Sequence, residues 1–328
     1  MQEKAIQTVR PDLRDKKLLR EIDFHARLPY SELARRIGTS KQGAEYKFKN
    51  LLKQGVIRGS YPVVNVPKLG YLYCRLLVTL QGVSEIQIER IVEDLKKDPN
   101  VFWLFTMEGR YDLLVVFWAK NVSDFKRMVT SFLEKHGKHV KRKVETVTTD
   151  VCHLSHRYLL EEGDKQEVSI RETDERIKID ELDKRILTVL ASDARIPLIQ
   201  LASAVDALPK TVAYRMKRME KEKLILCYRP IIDHSVLGLT YYKLFVNLNS
   251  YSLVQMQTIK NWVKQNKYVT YIVEGSGLPT DLDLELIVPS NKALFEFIRQ
   301  LRFKFPRIIG DYSTVVFKET RKVRYLPF

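Results

Sequence analysis

Residues 209–225 read PKTVAYRMKRMEKEKLI. At 3.6 residues per turn, Val212, Met216 and Met219 fall on one face, and Lys210, Tyr214, Lys217 and Lys221 on the opposite one. The spacing predicts an amphipathic helix with an apolar seam and a basic outer surface carrying one aromatic ring. A solvated charged face is the ordinary reading of such a helix. The segment recurs, however. Shifted by 168 positions, residues 15–80 align with 183–248 without a gap, and nineteen of the 66 positions are identical. The identities include Ala26/Ala194, Arg27/Arg195, Pro29/Pro197 and the pair Leu69-Gly70/Leu237-Gly238. They also include Tyr46/Tyr214, Lys49/Lys217 and Lys53/Lys221, which all lie on the outer face. Solvation needs charge but not the same side chains, so the repeated face reads as a surface that recognises something, in a tandem-duplicated chain.

Outward from that helix, the first copy opens with a polar arm ending at Pro11. A helix follows over 15–25, a second over 30–37, and a break at Gly38-Thr39-Ser40. Ser40 is placed to cap the third helix, 41–53, whose buried seam is Ala44, Phe48 and Leu51. Helix, helix, short turn, helix is the helix-turn-helix arrangement, whose last helix can enter a major groove. The β-prone segment from Gly55 to Val66 reads as a short wing. From Tyr71 the pattern becomes strand 71–80, helix 85–97, strand 101–107, strand 113–119, helix 123–136 capped by Ser123, and strand 140–151. This βαββαβ order is ferredoxin-like. Residues 156–178 turn acidic (Glu161, Glu162, Asp164, Glu167, Glu172, Asp174, Glu175) and read as an exposed, partly helical linker. The second copy repeats the plan. The fold class is therefore α+β, with boundaries at 12–66, 70–155, 156–179, 180–234 and 238–325.

The formal net charge of +16 and a pI near 9.6 call for an anionic partner. No uninterrupted apolar run reaches the ~18 residues of a membrane span. No secretion signal opens the chain, and three cysteines at no useful spacing fit a reduced, cytoplasmic protein without membrane association. His136, His139, Cys152, His153 and His156 lie close in sequence. Cys152 and His153 are adjacent on a strand and point to opposite faces, and no metal-binding frame surrounds them, so no metal or other cofactor is expected. The sequence also lacks a Gly-rich phosphate loop and a nucleophile elbow, and no catalytic residue is assigned.

In Asp281-Leu282-Asp283-Leu284-Glu285-Leu286, alternation puts the leucines toward the helices and the acids on the open sheet face. The equivalents in the first copy are Asp112, Leu114 and Val116. Unpaired carboxylates are costly in a sheet–sheet interface. The acids are read as a wet face, as ion pairs to Lys243 or to basic residues of the first copy, or as a pocket for a cationic effector.

Several of these motifs together resemble the Lrp/AsnC family of feast/famine regulators of bacteria and archaea. They are LDKRIL (182–187), TVAYRMKRMEKEKLI, the Leu-Gly that ends each segment, and the turns Glu108-Gly109-Arg110-Tyr111-Asp112 and Glu274-Gly275. The resemblance implies dimers that bind double-stranded DNA through winged helices, ferredoxin-like domains paired through their sheets, and an amino-acid-like effector. A chain with two copies resembles a covalent dimer, which can associate further as a homo-oligomer. The residues expected on DNA are Lys41, Gln42, Tyr46, Lys49 and Lys53 in one copy, and Lys210, Thr211, Tyr214, Lys217, Arg218 and Lys221 in the other. Gly109, Asp112, Gly275, Asp281 and Asp283 are the expected effector residues. Copies differ at Gly43 against Thr211, at Asp206-Ala207-Leu208 against the Ser40 cap, and at Lys223 against Gly55. Siroheme decarboxylases resemble the family in fold and are the rival class, and a ligand-sensing adaptor without DNA binding is the third reading. Their tetrapyrrole pocket calls for clustered Arg and His, and the candidate stretches here supply Arg58, Arg229 and His234.

Overall fold

The computed structural model describes residues 8–161, 165–277 and 280–328. Glu162 and Asp164 of the acidic stretch, and Leu278 and Pro279 of the second turn, lie outside the described residues. The first half runs α1 (Leu13–Glu21), α2 (Tyr30–Ile37), α3 (Lys41–Lys53), β1 (Ile57–Val64), β2 (Leu72–Leu80), α4 (Glu85–Lys97), β3 (Val101–Gly109), β4 (Leu113–Ala119), α5 (Val122–His136) and β5 (Val140–Leu154). After β6 (Glu167–Arg171), the second half runs α6 (Glu181–Ser192), α7 (Leu198–Ala204), α8 (Pro209–Lys221), β7 (Ile225–Ile232), β8 (Thr240–Leu248), α9 (Leu253–Val263), β9 (Val269–Ser276), β10 (Leu282–Val288), α10 (Asn291–Lys304) and β11 (Ile309–Val323). The class is α+β.

Local chemistry sets most of these bounds. α1 starts earlier than periodicity alone predicts, because Asp12 caps it and Asp15 closes a reciprocal capping box. α5 is capped by Asn121 rather than Ser123, since the Asn121 side chain accepts from the Asp124 amide one turn in. Ser40 caps α3 through the Gly43 amide, as the sequence implies.

Each half orders its four long strands as β5-β2-β4-β3 or β11-β8-β10-β9, which leaves two edge strands per half. Those edges are covered reciprocally. β3 pairs antiparallel with β11, and β9 with β5. Among the described residues, the β2–β5 pairing closes eight strands into a ring, and β6 adds a ninth outside it. Closure satisfies the edge amides and carbonyls that would otherwise template association. Side-chain alternation then divides the apolar residues. Leu76, Val78, Val115 and Phe117 face α4 and α5. Leu244, Val246, Leu284 and Leu286 face α9 and α10. Tyr73, Leu77, Leu114, Phe245 and Val315 fill the ring.

Two sequence-based expectations need correction. The wing is no free wing, because β1 pairs antiparallel with β7 over Ile57–Val64 and Ile225–Ile232, and most of it is buried. A lone strand leaves its ladder groups unmet, and β1 and β7 meet each other's. Among its described residues the acidic linker is not helical. Residues 167–171 form β6 on β5, and Ile170, Ile177 and Ile179 pack against the ring cluster.

Candidate nucleic-acid interface

α3 and α8 bury the seams expected of them, Ala44, Phe48 and Leu51 in one and Val212, Met216 and Met219 in the other. Their outer faces carry Tyr46 at 71% and Tyr214 at 67% exposure, among the most exposed aromatic rings of the protein. Lys41, Gln42, Lys49 and Lys53 are exposed on α3, as are Lys210, Lys217 and Lys221 on α8, while Thr211 is half-buried. Lys49 makes an i,i+4 ion pair with Glu45 at 2.7 Å. Both groups are solvent-exposed, so the pair yields readily to a phosphate.

Arg218 is a correction. Its guanidinium turns inward, with Nη2 2.5 Å from the fully buried Asp183. Asp183 closes the capping box of α6, and Arg215 bridges it and Asp180. In the first half Lys47 bridges Asp12 and Asp15 at 2.8 and 2.9 Å. These inward cations orient α8 and α3 on the helices that pack beneath them. A groove of about 620 Å³ beside α8 is lined by Lys68, Arg176, Lys178 and Arg218 with two glutamates. Its basic residues come from three chain segments, so no single motif announces them.

The two units are joined by more than the β1–β7 ribbon. Arg27 Nη1 donates to the carbonyls of Ala194 and Ile196, and Arg195 Nη1 donates to those of Ala26 and Leu28. Arg195 also lies over the rings of Tyr30 and Phe48, and Arg27 over Tyr228. The identity of Ala26-Arg27 with Ala194-Arg195 thus has a mechanical cause, a reciprocal clasp between equivalent loops.

The residues expected to bind an effector do other work. The Asp112 carboxylate accepts from the Leu80 amide at 2.6 Å, and Asp281 accepts from the Leu248 amide at 2.7 Å, so each caps the end of an equivalent strand. A Cβ on Gly109 would lie 2.9 Å from the Thr314 carbonyl oxygen, and one on Gly275 2.3 Å from that of Val147. Both glycines therefore permit the close strand crossings that join the halves. Asp283 is fully buried and ion-paired to Arg75 at 2.8 Å and Lys243 at 2.7 Å. Asp283 and Glu285 thus form ion pairs inside the ring, not a wet face or an open pocket, while Asp281 holds the Leu248 amide.

Sequence reasoning missed a buried polar cluster where the units meet the ring. Arg229 Nη2 donates to Asp23 Oδ1 at 2.6 Å, and the His156 amide donates to Asp23 Oδ2 at 2.7 Å. Arg229 Nη1 lies 3.4 Å from His153 Nδ1, and the Tyr158 hydroxyl 3.0 Å from His234 Nδ1. Burial first, then the Arg229 charge, holds the imidazoles of His153 and His156 well below the usual range. Burial holds His234 at about 4. Cys152 joins the helix-side core while its neighbour His153 packs on Tyr271 inside. His136 lies by Asp94, away from this cluster. Its sequence signals were a histidine-rich segment with no spacing to explain it and, far along the chain, Arg229 and His234 of the stretch weighed for a tetrapyrrole pocket.

Comparison with known proteins bears directly on the helical units. A model of the AsnC-type helix-turn-helix domain matches residues 179–220, and a winged helix-turn-helix DNA-binding model matches residues 11–58. The HTH-type transcriptional regulator LrpA of Pyrococcus horikoshii is 30% identical over 126 residues, which is 38% of this chain and 86% of that protein. The chain belongs to the Lrp/AsnC family. LrpA of Pyrococcus abyssi is 31% identical over the same shares, and the regulator AzlB of Bacillus subtilis 28% identical over 37% of this chain and 78% of its own length. Each relative thus matches under two fifths of this Lrp/AsnC chain. Over its full length the chain shares the fold of the siroheme decarboxylase NirDL, with a TM-score of 0.62, 12% identity, and 95% and 93% of the two chains covered. Among the described residues no helix is long and apolar enough to cross a membrane.

Proposed function

We propose that this Lrp/AsnC chain is a sequence-specific double-stranded-DNA-binding transcription regulator that acts as a single-chain pseudo-dimer. Its two units span about 12–155 and 180–325. Each presents one reading helix, α3 or α8. The observation that carries the reading is the recurrence of exposed Tyr, Lys and Lys at matching places on two helices clasped into one block. Lysines neutralise phosphates and release counterions, and tyrosine can contact phosphate or a thymine methyl group. The two faces differ at Gly43/Thr211 and Glu45/Ala213, so the preferred half-sites are related but not identical. Gel shifts against salt test this. The Lys49→Ala/Lys217→Ala variant should bind more weakly and lower the log–log salt slope by about 2. Binding equal to the parent with the same slope contradicts the assignment.

A second reading, a decarboxylase-like enzyme, draws on the full-length likeness to NirDL and on the Arg229–His153–His156–His234 cluster. The space beside that cluster opposes it. A cavity of about 40 Å³ lined by Tyr61, Tyr73, Trp118, His153 and Tyr325 is small against the roughly 300–1,000 Å³ of ligand pockets. Stacked pairs, Tyr61 on Tyr325 and Phe102 on Trp118, fill the remainder. Purified protein should not take up a tetrapyrrole, and visible absorbance with turnover after incubation would favour the enzyme.

A further inference from the structure

The ring of strands has two unlike inner faces. The first half turns in Arg75 from β2, and Leu114 and Val116 from β4. At the equivalent places the second half turns in Lys243 from β8, and Asp283 and Glu285 from β10. Arg75 Nη1 donates to Asp283 Oδ2 at 2.8 Å. Lys243 Nζ lies 2.7 Å from Asp283 Oδ1 and 2.7 Å from Glu285 Oε1, and the Tyr241 hydroxyl also donates to Glu285. The side chains of Arg75, Lys243 and Asp283 are 2%, 0% and 0% exposed.

Two cations and two carboxylates cancel only when unlike halves meet. Two first halves would bury two arginines and no acid. Two second halves would bury two lysines and four carboxylates. Either like pairing leaves two uncompensated charges in a dry interior, where even one is strongly destabilising. The other seams of the ring do not discriminate in this way, because β3–β11 and β5–β9 are equivalent backbone ladders, each between the second strand of one half and the fourth of the other, while outside the ring the buried Asp23–Arg229 pair likewise joins unlike halves. A duplicated chain starts with halves able to pair with their own kind, and charge placement is a means of excluding that.

We infer that Arg75, Lys243, Asp283 and Glu285 form a pairing code. The inner face of each half fits the unlike half, and like-with-like assembly is rejected. The inference rests on the reading of the chain as two paired units and not on DNA binding, so the test is made on the full-length chain without DNA. Lys243→Arg/Asp283→Leu/Glu285→Val gives the second half the inner set of the first. Its melting midpoint should fall by on the order of 10 °C. Adding Arg75→Lys/Leu114→Asp/Val116→Glu exchanges the sets and should restore most of the midpoint. A smaller cycle serves where six changes overload the core. Arg75→Met and Asp283→Leu should each lower the midpoint by several degrees, and the pair together should melt above either single variant. The inference is overturned if the three-residue conversion melts with the parent, or if the losses of Arg75→Met and Asp283→Leu simply add.

Discussion

In the first helix-turn-helix unit α2 ends on Gly38 and α3 is followed by Gly55, with φ of 69° and 74°. The same two places in the second unit are Asp206 and Lys223, with φ of 51° and 58°. Ser40 caps α3 through its side chain, whereas Leu208 offers α8 no side-chain bond. A Cβ on Gly43 would come within 2.5 Å of Thr39 Oγ1, and the equivalent pair, Ala207 and Thr211, moves the bulk from the turn to the helix. The cores differ in the same sense. The first unit packs around its own cluster of Leu18, Leu33, Phe48 and Leu51, while Ile186, Leu201, Met216 and Met219 belong to the cluster that fills the ring. The first unit is specified by local signals. The second keeps the same shape with strained turns because its core is continuous with the body of the protein.

The largest expected effect concerns a pair with no counterpart. Asp23 and Arg229 stand where the opposite halves have Ala191 and Tyr61. Arg229→Met strands a buried carboxylate and should cost about 3–5 kcal/mol in denaturant unfolding. Asp23→Ala/Arg229→Met should recover much of that, and equal losses for both variants would mean the ion pair is not the cause.

Next in size is a pH effect confined to the same junction, where His234 faces Tyr158, His156, Asp233 and Arg229. The imidazole sits at about 4 in the folded chain against an ordinary 6.5, so the unfolded chain takes up the proton first. Stability contributed by His234 is full above about pH 6.5 and is lost as pH falls toward 4, by about 3 kcal/mol in total. His153 and His156 add with the same sign. Unfolding free energies measured between pH 7.5 and 4.5 should show that slope, and His234→Asn should reduce it to the share of His153 and His156.

The turns give the smallest effects. Lys223→Gly should stabilise by about 1 kcal/mol by relieving a left-handed backbone, and Ser40→Ala should cost about 1 kcal/mol by removing a cap. Hydrogen exchange then sharpens the contrast between the cores. Amides of α8 should open with the ring strands, and those of α3 at lower free energy. Identical protection in both helices would contradict the idea that only the second unit borrows its core.

Much of this was legible in the sequence because it depends on neighbours. Heptad-like seams and caps place α2, α3 and α4 to the residue, and the alternation of Leu282, Leu284 and Leu286 identifies which face of β10 meets the helices. What was not legible joins distant residues. The β1–β7, β3–β11 and β5–β9 pairings, the Arg27/Arg195 clasp and the Asp23–Arg229 pair each link positions more than a hundred residues apart. The same limit explains why Arg218 read as a DNA contact. Periodicity places it near the outer face, but only the fold brings Asp183 to its guanidinium.

The central claim is that one chain reads DNA with two related but unlike helices. A footprint on a selected binding fragment tests it most directly, comparing the parent with Tyr46→Ala/Lys49→Ala and with Tyr214→Ala/Lys217→Ala. The parent should protect two segments about 10 base pairs apart, roughly one helical turn. Each variant should lose protection over one segment, a different one in each case. Loss of the same segment in both variants, or intact protection in either, would contradict the account.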